Sequence, residues 1–280
     1  MTTLATDFPQ AATMDDPDAD HHRRQKQTHD LLLAAIYWNS LNPAYEGLLT
    51  GNRGWTWDQE RQTYVSRNGS AIPQDVLRSL ALGIIDQTEH RIEDTTSDML
   101  DKKMSVEDWQ RRTEDDLEDE FFALMLLACG GIDNVEDADI SETWGTVGTP
   151  ASPGVGLSEA FVRLKNFSDE IRSDEAGSDD FVRQRAGGYS NFGWYIYQRI
   201  QQTSYEQLAL ESGQKIEEIS VLDPLSNHCR DEEFTLGCPG ISESGWQPAG
   251  TLPVPGSPER SCFVGCRCHL AYRFAPTGAE

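Results

Sequence analysis

Hydrophobic positions recur with a helical period along much of this chain. Val76, Leu80, Ile84, Thr88, Ile92 and Met99 follow Pro73. Proline suits the first turn of a helix, where its missing N–H would have no partner anyway. Asp101-Lys102-Lys103 breaks the pattern, and Ser105 then stands as an N-cap with Asp108 at the capping-box position. Val106, Trp109, Leu117, Phe121 and Leu124 carry one apolar face on to Cys129, where Gly130-Gly131 supplies a stop. Residues 73–129 are therefore predicted to form an antiparallel helical hairpin. Phe161, Leu164, Phe167 and Ile171 mark a third helix. Phe181, Arg185, Tyr189, Phe192, Ile196 and Ile200 mark a fourth, running to about Leu210. Gly187, Gly188 and Gly193 weaken that helix by about 1 kcal/mol each, and close helix packing is their expected use.

Elsewhere the pattern changes. Leu31–Trp38 is a short apolar run that ends near Asn42-Pro43, because the residue before proline avoids helix. Between 55 and 72, Trp55 and Trp57 alternate with Thr56, Tyr64 and Val65 follow an acidic turn, and Asn68-Gly69 is a hairpin signal. This predicts a small aromatic β-hairpin or meander whose tryptophans anchor it to a helical core. Residues 133–156 are acidic, then rich in Gly and Pro, as in a linker or a long surface loop. After Val221, Pro and Gly become dense, aliphatics thin out and cysteines appear. The expected class is α+β, mainly α, with four stretches: a flexible polar arm over 1–28, a helical hairpin with the β-hairpin over 29–150, a second helical pair over 151–220, and a cysteine-rich module over 221–280 that zinc could stabilise. A module so poor in aliphatics needs a staple or a docking surface.

Charge narrows the partners. Of the 280 residues, 23 are Lys or Arg and 47 are Asp or Glu, a formal net charge of -24. Such a chain repels phosphate backbones, and the short basic groups His21-His22-Arg23-Arg24 and Arg111-Arg112 sit beside acids. No direct nucleic-acid binding is expected; docking on a basic protein surface is. Acid pairs such as Asp115-Asp116 and Glu232-Glu233 read as solvated faces. No apolar run reaches the 18 or so residues a membrane span needs, so no membrane partner is expected. The N-terminus lacks the basic and apolar regions of a signal peptide, so synthesis in the cytoplasm is expected.

The cysteines carry the strongest chemical signal. Cys129 lies alone in an apolar helical run and reads as a buried thiol. The other five form the pattern His228-Cys229, eight residues, Cys238, 23 residues, then Cys262-Phe263-Val264-Gly265-Cys266-Arg267-Cys268-His269. Thiolates are soft ligands that suit tetrahedral Zn²⁺. Four of Cys229, Cys238, Cys262, Cys266 and Cys268 would complete such a site, with Cys266 and Cys268 on one face of an extended segment. Two rival readings stay open: disulfides formed after release into an oxidising medium, and free thiols.

The stretches 228–238, 245–256 and 262–273 together resemble the C-terminal module of tailed-phage head morphogenesis proteins, the group around the Mu-type minor head proteins. The resemblance is carried by the C-R-C tail before an aromatic strand and by Gly245, Trp246, Pro248, Gly250, Thr251, Leu252 and Pro253 between the cysteine pairs. More loosely it extends over most of 50–275, through a hairpin before a long helix, a K-K-M-S-V-E-D-W-Q-R-R helix start and a helix closing in Gly-Gly. Two departures stand out. Glu232 occupies the position where many relatives have a second cysteine after Cys229, and Cys262 sits where the pattern often has histidine.

The resemblance implies a minor virion structural protein acting in procapsid assembly, near the portal or the inner head wall, with portal and major capsid proteins as partners. The alternative is a soluble zinc-binding adaptor for a protein partner outside any virion. An enzyme is not expected. The chain has no H-E-x-x-H, G-x-S-x-G or P-loop, and His228-Cys229-Arg230 does not fit the H-x-E of zinc deaminases. Nor does it carry a motif for the ADP-ribosyltransferase domains fused to some head proteins. Arg267 is expected to lock the knuckle by binding a carboxylate or carbonyl, and Trp246 to cap it.

Overall fold

The computed structural model describes residues 48–49, 55–149, 154–224, 237–260 and 266–275. The expected arm over 1–28 and the helix over Leu31–Trp38 lie outside the described residues.

Helix α1 spans Gln74–Leu100 and α2 spans Val106–Cys129, joined by a short turn that sends the chain back on itself. Pro73 precedes α1 in extended backbone. The Ser105 hydroxyl accepts from the Asp108 amide at 3.0 Å, satisfying one of the N–H groups that every helix start leaves open. Gly130, at φ 95°, ends α2 in the left-handed region that glycine enters without a steric penalty. The buried stripe of α1 begins one residue later than its expected phase, on Leu77 and Ala81, before settling on Ile84, Ile85, Thr88, Ile92, Thr96 and Met99. From Glu120 to Cys129 every residue of α2 is buried. A helix covered on all sides is a core helix, and α2 packs against α1 and the two long helices that follow.

The acidic segment after α2 is not a plain loop. It holds helix α3, Asp137–Trp144. Its acids help to make it: the Glu136 side chain accepts from the Asp139 backbone, and the Asp139 side chain accepts from the Glu136 amide at 2.8 Å. Carboxylates at a helix start also meet the positive end of its dipole. Trp144 then sits edge-on between Phe122 and Phe161, at 6.2 Å from each ring centre, and ties α3 to α2 and to α4 (Gly156–Arg172).

The expected fourth helix is two helices. Helix α5 (Asp179–Gly187) and α6 (Phe192–Ser212) are separated by a 3₁₀ turn over Gly188–Asn191. Gly193 has the packing role expected of it, since a Cβ there would overlap the Glu120 carboxylate and Leu124 of α2. A Cβ on Gly188 would meet nothing, so that glycine has no packing use of this kind.

The aromatic segment is a meander. Strands β1 (Trp55–Asp58) and β2 (Thr63–Ser66) pair antiparallel with Trp57 opposite Tyr64. Asn68-Gly69 forms the second turn, returning Ala71 to Val65. The buried Tyr64 hydroxyl donates to the Leu126 carbonyl at 3.0 Å, and this bond anchors the meander to α2.

A second, three-stranded antiparallel sheet lies at the C-terminal end. Strand β3 (Ile216–Val221) is central, flanked by β4 (Gln247–Pro248) and β5 (His269–Phe274). The sequence reading placed no strand at 216–221. Helix α7 (Cys238–Glu243) packs on this sheet. The fold is thus mainly helical, with a small antiparallel hairpin and a C-terminal cysteine cluster. Among the described residues, no helix is long and apolar enough to cross a membrane.

Two acids of α2 are withdrawn from solvent, one of them Asp116, which was expected on a solvated face. Asp116 pairs with Arg91 at 2.6 Å, its side chain only 18% exposed. Glu120 is 1% exposed, and among the described residues neither carboxylate oxygen has a well-formed hydrogen bond. Burial pushes the Glu120 carboxyl well above its ordinary range; Thr88 and Arg91 oppose this, while Glu89 and Asp116 add to it. Below the ordinary carboxylate pKa of about 4.3, the group is protonated whether the chain is folded or not. As pH rises through that value only the unfolded chain ionises, so stability falls. Glu120→Gln is predicted to melt several degrees above the parent at pH 8, with the gap closing towards pH 4. Thermal unfolding across that range checks it; a gap independent of pH contradicts it.

Candidate metal centre

Cys238 opens α7 directly before Pro239, which starts a helix without wasting an N–H. Cys266 and Cys268 precede β5, with Arg267 between them. Side chains two apart on an extended segment share a face. Both cysteines accordingly point inward, while Arg267 turns to the helical body and reaches Asp86 at 3.3 Å and Glu89 at 3.8 Å, both on α1. The carboxylate partner expected for Arg267 is thus supplied by α1.

The sulfurs of Cys238, Cys266 and Cys268 all lie within 4.8 Å of one another, and all three residues are buried. A tetrahedral ion with Zn–S bonds of about 2.3 Å spaces its sulfurs about 3.8 Å apart. A small contraction of the cluster would therefore seat an ion. Three close cysteines can hold a metal ion here, and each described cysteine is a free thiol. Cys229 and Cys262, the other two expected ligands, lie outside the described residues, as does His228. His269 is not part of the sulfur group. Arg78 donates towards its Nε2 at 3.4 Å, and burial, reinforced by the Arg78 charge, pushes its pKa down to about 4. It is a neutral imidazole facing α1.

Packed thiols resist ionising together. The Cys268 thiol is pushed far up by its contacts with Cys238 and Cys266, then by burial, with only the Asp223 backbone amide pulling the other way. A bound dication inverts that balance, because a coordinating thiol is deprotonated outright.

The cluster is fastened to the helical body through buried hydrogen bonds. Trp194 of α6 donates its indole N–H to the Cys268 carbonyl at 2.8 Å, and Gln198 accepts from the Leu270 amide at 2.9 Å. The stretch from Gly245 to Pro253 is fastened from the other side. Buried Glu218 of β3 accepts from the Thr251 and Leu252 amides at 2.9 and 2.6 Å, and Gln202 of α6 donates to the Leu252 carbonyl at 2.9 Å. Gly250 turns the chain at φ 87°, and a Cβ there would also press on the Glu206 carboxylate. Trp246 packs within the cysteine-rich module, its ring under the Arg273 guanidinium of β5 at 4.1 Å.

Two residues at this site escaped the sequence reading. Glu218 and Arg260 are 0% and 1% exposed, but each stands next to another charge, Glu217 and Glu259, as residues on a solvated face do. The inside-outside alternation of β3, buried at Ile216, Glu218 and Ser220, was the available signal for Glu218. Compared with known proteins, the chain matches no family model, no curated protein and no solved structure.

Proposed function

We propose that the chain is a structural protein of a tailed-phage head, with a zinc-stapled C-terminal module that serves assembly rather than catalysis. The observation that carries the zinc reading is the meeting of Cys238 with Cys266 and Cys268, thiols from two distant segments, in a buried cluster. Cys229 or Cys262 is the candidate for the fourth thiolate. The ion would be structural, closing a loop that few aliphatic side chains hold. Protein purified from the cytoplasm should contain about one zinc per chain. A chelator should lower its melting temperature and expose the cysteines to alkylation while most helical signal persists. Protein without zinc, with melting unmoved by chelator, would refute this.

The head-assembly role is supported by the resemblance of residues 228–273 to the head morphogenesis module. Two of the residues that carry the resemblance have clear physical duties. Gly250 makes a turn that other residues enter poorly, and Leu252 offers both its amide and its carbonyl to the buried Glu218–Gln202 pair. The net charge of -24 suits docking on a basic surface of a portal or major capsid protein. In lysates of cells producing the phage that encodes the chain, it should co-purify with tailless heads and procapsids in a fixed ratio to portal. Recovery only in the soluble fraction, away from particles, would leave the adaptor reading in its place.

A further inference from the structure

Among the described residues, Arg260 is a buried cation without a carboxylate partner. Its side chain is almost wholly covered, with the residue 1% exposed. Nε and Nη2 donate to the Pro253 carbonyl at 2.8 and 2.6 Å, while Nη1 donates to the Ser220 hydroxyl at 3.1 Å and lies 4.0 Å from the Cys238 sulfur. Among the described residues, no carboxylate lies within ion-pair distance of it. Glu218 faces the same side of β3 as Ser220, but its oxygens are occupied by Gln202 and by the Thr251 and Leu252 amides.

Guanidinium does not shed its proton in proteins, and a buried charge calls for a counter-charge. Among the described neighbours, the group that can supply one is the sulfur cluster, whose Cys238 lies 4.0 Å from Nη1. Three neutral thiols supply none. Three thiolates around a dication leave one net negative charge, and a fourth thiolate leaves two. Each S–H proton passes to solvent as its sulfur–metal bond forms.

We infer that Arg260 is the counter-ion of a net-negative metal–thiolate centre, a positioning residue that holds Cys238 as a ligand and favours soft metals over hard ones. The inference rests on the metal reading above. It adds that the centre is thiolate-rich and that its charge is balanced by Arg260 inside the module. Outer-shell partners of this kind orient ligands and tune affinity.

The test titrates Co²⁺ into the metal-free full chain, followed by competition with Zn²⁺. The wild type should show a thiolate-to-cobalt charge-transfer band and tetrahedral ligand-field bands. Arg260→Gln should weaken Zn²⁺ binding by about 10–100-fold and shift the charge-transfer band, while Arg260→Lys, which keeps the charge, should recover most of the affinity. A folded Arg260→Gln protein that binds Zn²⁺ as tightly as the wild type, with an unshifted cobalt spectrum, overturns the proposal and leaves the metal reading intact. A wild type without a charge-transfer band overturns both. Should Arg260→Gln fail to fold, native mass spectrometry of the wild type decides by counting the protons displaced per zinc: three or more support a net-negative centre, and two or fewer overturn it.

Discussion

The sulfurs of Cys238, Cys266 and Cys268 share one buried pocket, within 4.8 Å of each other. The C-terminal part of the molecule depends on that meeting. Among the described residues after Val221, the buried aliphatic side chains are Ile241, Leu252, Val254 and Leu270, and Ile241, Leu252 and Leu270 form a small cluster apart from the cysteines. So little apolar surface offsets only part of the entropy lost on ordering a chain rich in Gly and Pro. A metal ion held by the sulfurs would supply what burial does not, and would turn thiols that resist ionising into ligands.

The helical body provides the other half of the support. Its core runs continuously from Leu48 to Ile200, with the all-buried end of α2 at its centre. Helix α6 belongs to both regions. It packs on α2 through Gly193, while Trp194, Gln198 and Gln202 donate to or accept from the backbone on either side of the cysteine cluster. The hydrogen bonds that cross that junction are buried and favour one docking geometry, although Ser257 Oγ, His269 Nδ1 and Tyr272 Oη are buried nearby with no hydrogen-bond partner among the described residues. A change in the cysteine cluster would therefore be felt along α6.

Sequence periodicity revealed the helical hairpin well, because α1 and α2 combine a regular apolar stripe with a serine cap and a glycine stop. It revealed the cysteine convergence too, since thiols in clusters within an aliphatic-poor segment have few other uses. What escaped was charge put to unexpected use. Glu136 and Asp139 looked like part of an acidic linker but cap a helix. Glu120 and Arg260 are buried by tertiary packing that no local window contains, whereas the burial of Glu218 follows the alternation of β3. The break between α5 and α6 was signalled by Gly187-Gly188, yet the apolar spacing continued across it and masked the interruption.

The central claim is that sulfur-ligated zinc holds the C-terminal module together. Zinc K-edge X-ray absorption on the full chain, purified without added metal, tests it most directly. The account predicts a first shell dominated by sulfur at about 2.3 Å. A shell of nitrogen and oxygen at about 2.0 Å, or a sample without a zinc edge, would contradict it.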